Sequence, residues 1–149
     1  MAETIKKLTE TDDIAGKAEK IILGLKNDRL LGGTNGLTTN QIRKFLTAVN
    51  TLTNKIILYR YQQMKARGRE QEKAFEMSDE LAKAVRFLKV KLAYQVARGN
   101  KGVKRFAKDT RLKEYIDTVG TDLKEYMAFA QFVEALVAYH KFYGEKEGE

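Results

Sequence analysis

The chain has 149 residues, a net charge of +8, one histidine, and neither cysteine nor proline. Its length matches one ordinary domain over 1–149, able to bury roughly 70% of the surface its unfolded form exposes. The lack of cysteine excludes disulfides, thiolate metal sites and cysteine nucleophiles and fits a reducing cytoplasm, while 43% hydrophobic and 32% charged residues suit helices on short connections.

Residues 1–10 read as a tail in which Lys6 and Lys7 sit among acids, with no apolar run resembling a signal peptide. Thr11, Asp12 and Asp13 introduce a first helix whose Ile14, Ala18, Ile21, Ile22 and Leu25 recur at helical spacing, ending near Asn27. Gly32, Gly33 and Gly36 mark a loop. With no strand before it and no Gly-Lys-Ser/Thr ending, it reads as an ordinary connection rather than a phosphate cradle. Thr38 and Gln41 have capping-box spacing, so a second helix starts there, with Ile42, Phe45, Leu46, Val49, Leu52, Ile56 and Tyr59 along one stripe. Lys44, Thr47, Thr51, Lys55 and Gln62 share its outer face, with Arg43, Asn50, Asn54 and Lys65 beside them; Gly68 ends or kinks it.

Ser78 is placed as N-cap of a third helix, with Asp79 and Glu80 in the first turn where the helix dipole favours anions, and Gly99 as its C-cap. Leu81, Val85, Leu88, Leu92 and Val96 form its apolar seam. The loop Gly99-Asn100-Lys101-Gly102 leads to a basic short helix and then to another carrying Tyr115, Ile116 and Val119. A last helix, from about Asp122 to Tyr143, is apolar nearly all round, which suits the centre of a bundle or a subunit interface. Glu134, His140 and Lys141 inside it argue against a membrane span. Residues 144–149 form an acidic tail. The pattern as a whole predicts an all-α fold, a single compact bundle of five or six helices.

Little in the chain can carry catalysis. His140, the lone imidazole, sits in an aromatic run and reads as a structural histidine making one hydrogen bond. Asp122 and Glu125 read as helix N-terminal charges, Glu134 as partly buried, and the other carboxylates as solvated. No catalytic residue, metal site or cofactor is expected.

The charge distribution is more informative. From Arg29 to Arg69 there are eight basic residues and no acid, and from Lys83 to Lys113 eleven basic residues against Asp109 alone. These stretches hold +18, and the rest of the chain −10. Segregation of this kind is the footprint of a polyanion-binding face. On the third helix Phe87, Lys91, Tyr94 and Arg98 fall within a band of about 60° beside the seam. Either Lys91 and Arg98 meet phosphates while Tyr94 stacks or hydrogen-bonds, or both rings are core and the cations snorkel past them. Lys101, Lys104, Arg105, Lys108 and Arg111 extend the positive field. Without any base-reading motif, binding is expected to be independent of nucleotide sequence.

Three stretches carry a family resemblance: Asn35-Gly36-Leu37-Thr38-Thr39-Asn40-Gln41-Ile42-Arg43; Phe87-Leu88-Lys89-Val90-Lys91-Leu92-Ala93-Tyr94 with Arg98 four residues on; and Val133-Glu134-Ala135-Leu136-Val137-Ala138-Tyr139-His140-Lys141-Phe142-Tyr143. Together they resemble the small subunit of the type III-A CRISPR effector, the Csm complex. The resemblance implies a helical, non-catalytic protein whose copies stack beside the guide RNA and contact guide and target RNA, one another, and the backbone and large subunits. It places Arg43, Lys89, Lys91 and Arg98 at the family's basic motif positions. Charge and helical facing add Lys44, Lys55, Arg60, Lys101, Lys104 and Arg105. The competing reading is a homo-oligomeric helical assembly protein that docks acidic protein partners without nucleic acid, motivated by the apolar last helix.

Overall fold

A computed structural model describes residues 5–67 and 76–144. A 3-10 turn, Leu8–Glu10, precedes six α-helices: α1 (Ile14–Asn27), α2 (Thr39–Arg67), α3 (Asp79–Arg98), α4 (Lys101–Thr110), α5 (Leu112–Val119) and α6 (Leu123–Gly144). Among the described residues the β-type pairing consists of two isolated bridges, Leu31 with Leu37 and Glu76 with Asp122. The expected all-α bundle is what forms. Gly68 lies outside the described residues.

Most helices begin where a polar side chain can satisfy otherwise orphaned backbone N–H groups. Asp13 accepts from Gly16 N at 2.8 Å and Ser78 from Leu81 N at 3.2 Å. The Thr38–Gln41 box closes in both directions, at 2.8 and 3.3 Å. Asn100 caps α4 through Val103 N, so the expected four-residue loop shrinks to two residues, with Lys101 and Gly102 already helical. Gly99 does end α3, but in extended backbone rather than a left-handed turn. Glycine is needed there because a Cβ would run into Val103.

The apolar last helix is the centre of the bundle. It packs most extensively on α1 and α2 and also meets α5 and the 3-10 turn. Tyr126, Phe129, Phe132 and Leu136 are fully buried along it. Phe129 meets Phe45 edge-on at 6.5 Å between centroids and Phe132 meets Tyr115 at 5.6 Å, the geometry aromatic pairs prefer. The Tyr126 hydroxyl donates to Val49 O at 3.0 Å and lies 2.8 Å from Thr53 Oγ1, fixing α6 against α2.

One carboxylate differs from expectation, and a second, Glu125, stands in the first turn of α6 as expected but also does more. Glu134 is exposed, because it falls on the strip of α6 that no neighbour covers. Glu125 is fully buried: it accepts from Leu8 N at 2.9 Å and from Thr9 Oγ1 at 2.7 Å. It thereby holds the 3-10 turn on α6, with Leu8 inserted in the core. Residues 8–10 are therefore packed structure rather than tail.

The glycine loop determines where α2 starts relative to the end of α3. Asn100 Nδ2 donates to Thr34 O at 2.9 Å and Gly36 O at 2.8 Å, and Gly102 N donates to Asn35 O at 2.7 Å. A Cβ on Gly102 would collide with the backbone of Gly36 and Leu37, so only glycine permits this approach. His140 is the structural histidine expected: it is buried, with Nε2 2.7 Å from Leu37 O. That carbonyl can only accept, so Nε2 carries the proton and Nδ1 has no hydrogen-bond partner among the described residues. Burial holds the imidazole below its usual pKa, partly opposed by the Leu37 hydrogen bond.

Candidate nucleic-acid interface

Helix α2 comes from the acid-free basic stretch and most of α3 from the second basic stretch, and the two pack against each other. Their contact leaves a groove made of two adjoining cavities of about 280 and 760 Å3 that share Lys44, Phe45, Tyr94 and Gln95. Buried Phe45, Leu52, Leu88 and Leu92 form an apolar floor. Exposed Lys44 and Lys55 stand on the α2 rim, and exposed Lys91, Tyr94 and Arg98 on the α3 rim. Among the described residues no aspartate or glutamate lines either cavity. Val103, Phe106 and Ala107 of α4 line the end near Arg98, held there by the Asn100 corner.

The aromatic edge of α3 is open. Phe87 is 55% and Tyr94 61% exposed, so neither ring is core and the snorkelling alternative falls. The Arg98 guanidinium lies 5.2 Å from the Tyr94 ring centroid, within cation–π reach, and its Nη1 donates to the Tyr94 hydroxyl at 3.3 Å. Gln95 Nε2 donates to Gln41 O at 3.4 Å, bridging the two helices.

The remaining candidates are distributed differently. Arg43 is exposed but, one residue and therefore about 100° from Lys44, does not line the groove. Arg60 is half-buried beyond the groove. Lys101 and Lys104 are exposed on α4. Lys89 turns toward α5 and pairs with Asp117 at 2.5 Å. Arg105 pairs with Asp28 at 2.7 Å and Asp109 at 2.8 Å, and those hydrogen bonds, Asp28 first, raise its guanidinium pKa further. In the sequence Gln41 reads only as a capping residue and Phe45, Leu52, Leu88 and Leu92 only as core, and nothing marks Gln95. Seam positions such as Phe45 and Leu88 announce burial, and nothing in one helix's pattern states how far its neighbour stands away.

A family profile described as Csm2 Type III-A matches residues 9–146. The chain is 32% identical over 136 residues to the CRISPR system Cms protein Csm2 of Streptococcus thermophilus, covering 91% of this chain and 95% of that one. It is 29% identical over 111 residues to the Csm2 protein of Enterococcus italicus, covering 73% and 69%. To the Csm2 protein of Mycobacterium tuberculosis it is 28% identical over 138 residues, covering 91% and 95%. With the profile spanning nearly the whole chain and the basic-motif helices both inside it, the chain belongs to the Csm2 family, the small subunit of type III-A CRISPR (Csm) complexes.

Proposed function

We propose that this chain is a non-catalytic subunit that grips the backbone of guide and target RNA through the α2–α3 groove, independently of base sequence. Lys44, Lys55, Lys91 and Arg98 meet phosphates on the two rims, and Lys101 and Lys104 continue the path along α4. Arg43 and Arg60 act from the other faces of α2, while Lys89 and Arg105, each held by carboxylates, contribute little. No cofactor takes part. The protein works in the cytoplasm, where copies of it stack along the RNA and touch the backbone and large subunits of the Csm complex. One observation carries this reading: four cations from two separate basic stretches meet on one groove whose lining, among the described residues, holds no carboxylate. The absence of a catalytic role is supported by the burial of the lone imidazole against Leu37 O.

The test is RNA affinity against salt. Four phosphate contacts predict a fall of about 50-fold in affinity between about 50 and 200 mM salt. Combined Lys91→Glu and Arg98→Glu reversal lowers affinity alike for unrelated sequences and flattens that slope; unchanged binding overturns the proposal.

A second reading, a homo-oligomer docking acidic proteins, keeps little of its first motive, because most of α6 is packed in the core and its open strip carries Gln131, Glu134 and Lys141 beside Phe142. It retains one observation. Ile57, Leu58 and Tyr61, on the later turns of α2, are each more than half exposed, with Lys65 over the Tyr61 ring. A stable oligomer in light scattering that ignores RNA at low salt would favour it.

A further inference from the structure

We infer that the α2–α3 groove takes unpaired bases, so that the chain prefers single-stranded RNA, or a splayed-out nucleotide, to a closed duplex; this rests on the RNA-binding reading above. A duplex shows a protein its phosphates, sugars and groove edges, while the flat faces of its bases stay inside the stack. Cationic rims alone would suit such a surface. Here the α3 rim also carries two open rings, Phe87 and Tyr94, above a floor of buried Phe45, Leu52, Leu88 and Leu92, and a duplex offers those rings no free base face. A single strand does: its phosphates reach Lys44, Lys55, Lys91 and Arg98 while its bases turn inward.

The α3 rim fits the same ligand. Tyr94 lines both cavities and is 61% exposed, an open ring at the point where they join. Arg98 lies over that ring, so a flat aromatic and a flat cation form one layered unit against which a base can stack. Phe87, four residues before Lys91, supplies a second open ring along the larger cavity. Every base has a stacking face, so this mode is tolerant of sequence and agrees with the missing base-reading motif. An acidic amphipathic helix would also answer the charge and the apolar floor, but it gives the exposed Tyr94–Arg98 layer no planar partner.

The experiment compares the full-length chain on three probes: a short single-stranded RNA carrying one 2-aminopurine, an abasic strand with the same number of phosphates, and a blunt duplex of the same length. The intact strand is expected to bind about tenfold more tightly than the abasic one, with 2-aminopurine emission quenched on binding, and more tightly than the duplex. Tyr94→Ala removes most of that advantage while leaving the salt slope in place, and Tyr94→Phe keeps it. Tyr94 is exposed, so both variants fold, which circular dichroism verifies. Salt-dependent but equal binding of intact and abasic strands, or tighter duplex binding, overturns base capture and leaves backbone binding standing. No binding to any probe overturns both. Displacement of RNA by an acidic helical peptide, with intact and abasic strands bound alike, assigns the groove to a protein partner and likewise overturns it.

Discussion

His140 and Glu125 show how a buried polar side chain anchors a segment that has no helix of its own. In the folded chain the imidazole is kept neutral, because protonating Nδ1 would place a charge and an unpartnered donor in the core. The unfolded chain takes up that proton first, near its ordinary pKa of about 6.5. Stability from this group is therefore complete above about pH 6.5 and is lost as the pH falls toward the folded value. His140→Gln keeps a donor for Leu37 O but does not titrate. Wild type should thus lose more melting temperature than the variant between about pH 7.5 and 5.5, and parallel losses would count against the assignment. Glu125→Ala leaves Leu8 N without its buried acceptor, which costs about 1–3 kcal/mol. Denaturant unfolding measures that loss, and hydrogen exchange should show the 3-10 turn released from α6.

At the level of elements, the corner formed by the glycine loop, Asn100 and Gly102 connects folding to the groove. It holds the first turn of α2 beside the last turn of α3, and so puts Lys44 on the cavity that Arg98 lines. Gly102→Ala cannot keep the corner closed, since its methyl group meets backbone rather than a flexible side chain. A destabilisation of about 1–3 kcal/mol is expected, of the size that overpacking a tight site causes. RNA affinity should fall with it although no cation has been removed; undiminished affinity in this variant would show that the corner does not position the groove. The capping residues here were legible in the sequence, because Thr38, Gln41 and Ser78 act on backbone three residues away. Asn100 sits in Gly99-Asn100-Lys101-Gly102, which reads as a loop, although it caps Val103 N by the same local rule. Its partners Thr34 and Gly36 lie more than sixty positions away in the chain.

Across the whole molecule, basic residues that look alike in the sequence divide into two groups. Lys91 and Arg98 stand on a groove with no acid among its described lining residues, whereas Lys89 and Arg105 are held by carboxylates from α5, from residue 28 beyond α1, and from α4 itself. This separation can be measured. Arg98→Ala should lower RNA affinity and reduce the salt slope by about one phosphate contact. Arg105→Ala should change affinity and stability little, as expected for partly exposed ion pairs. The reverse ranking would remove Arg98 from the interface.

The all-α class, the boundaries of most helices and the segregation of charge were determined by the sequence alone, because caps, helical periodicity and runs without acids are local properties. The family resemblance was also carried by the chain, in the ordered motifs around Arg43, Lys91 and His140. Only the tertiary structure decided that α6 buries all but one strip of its surface in the core, that Glu125 is buried, and that Phe87 and Tyr94 face outward. It alone gave the cations an apolar floor between them and sent Lys89 and Arg105 to carboxylate partners. Those outcomes depend on which helix lies against which and at what separation, and helical spacing specifies the face a residue occupies without specifying what that face meets.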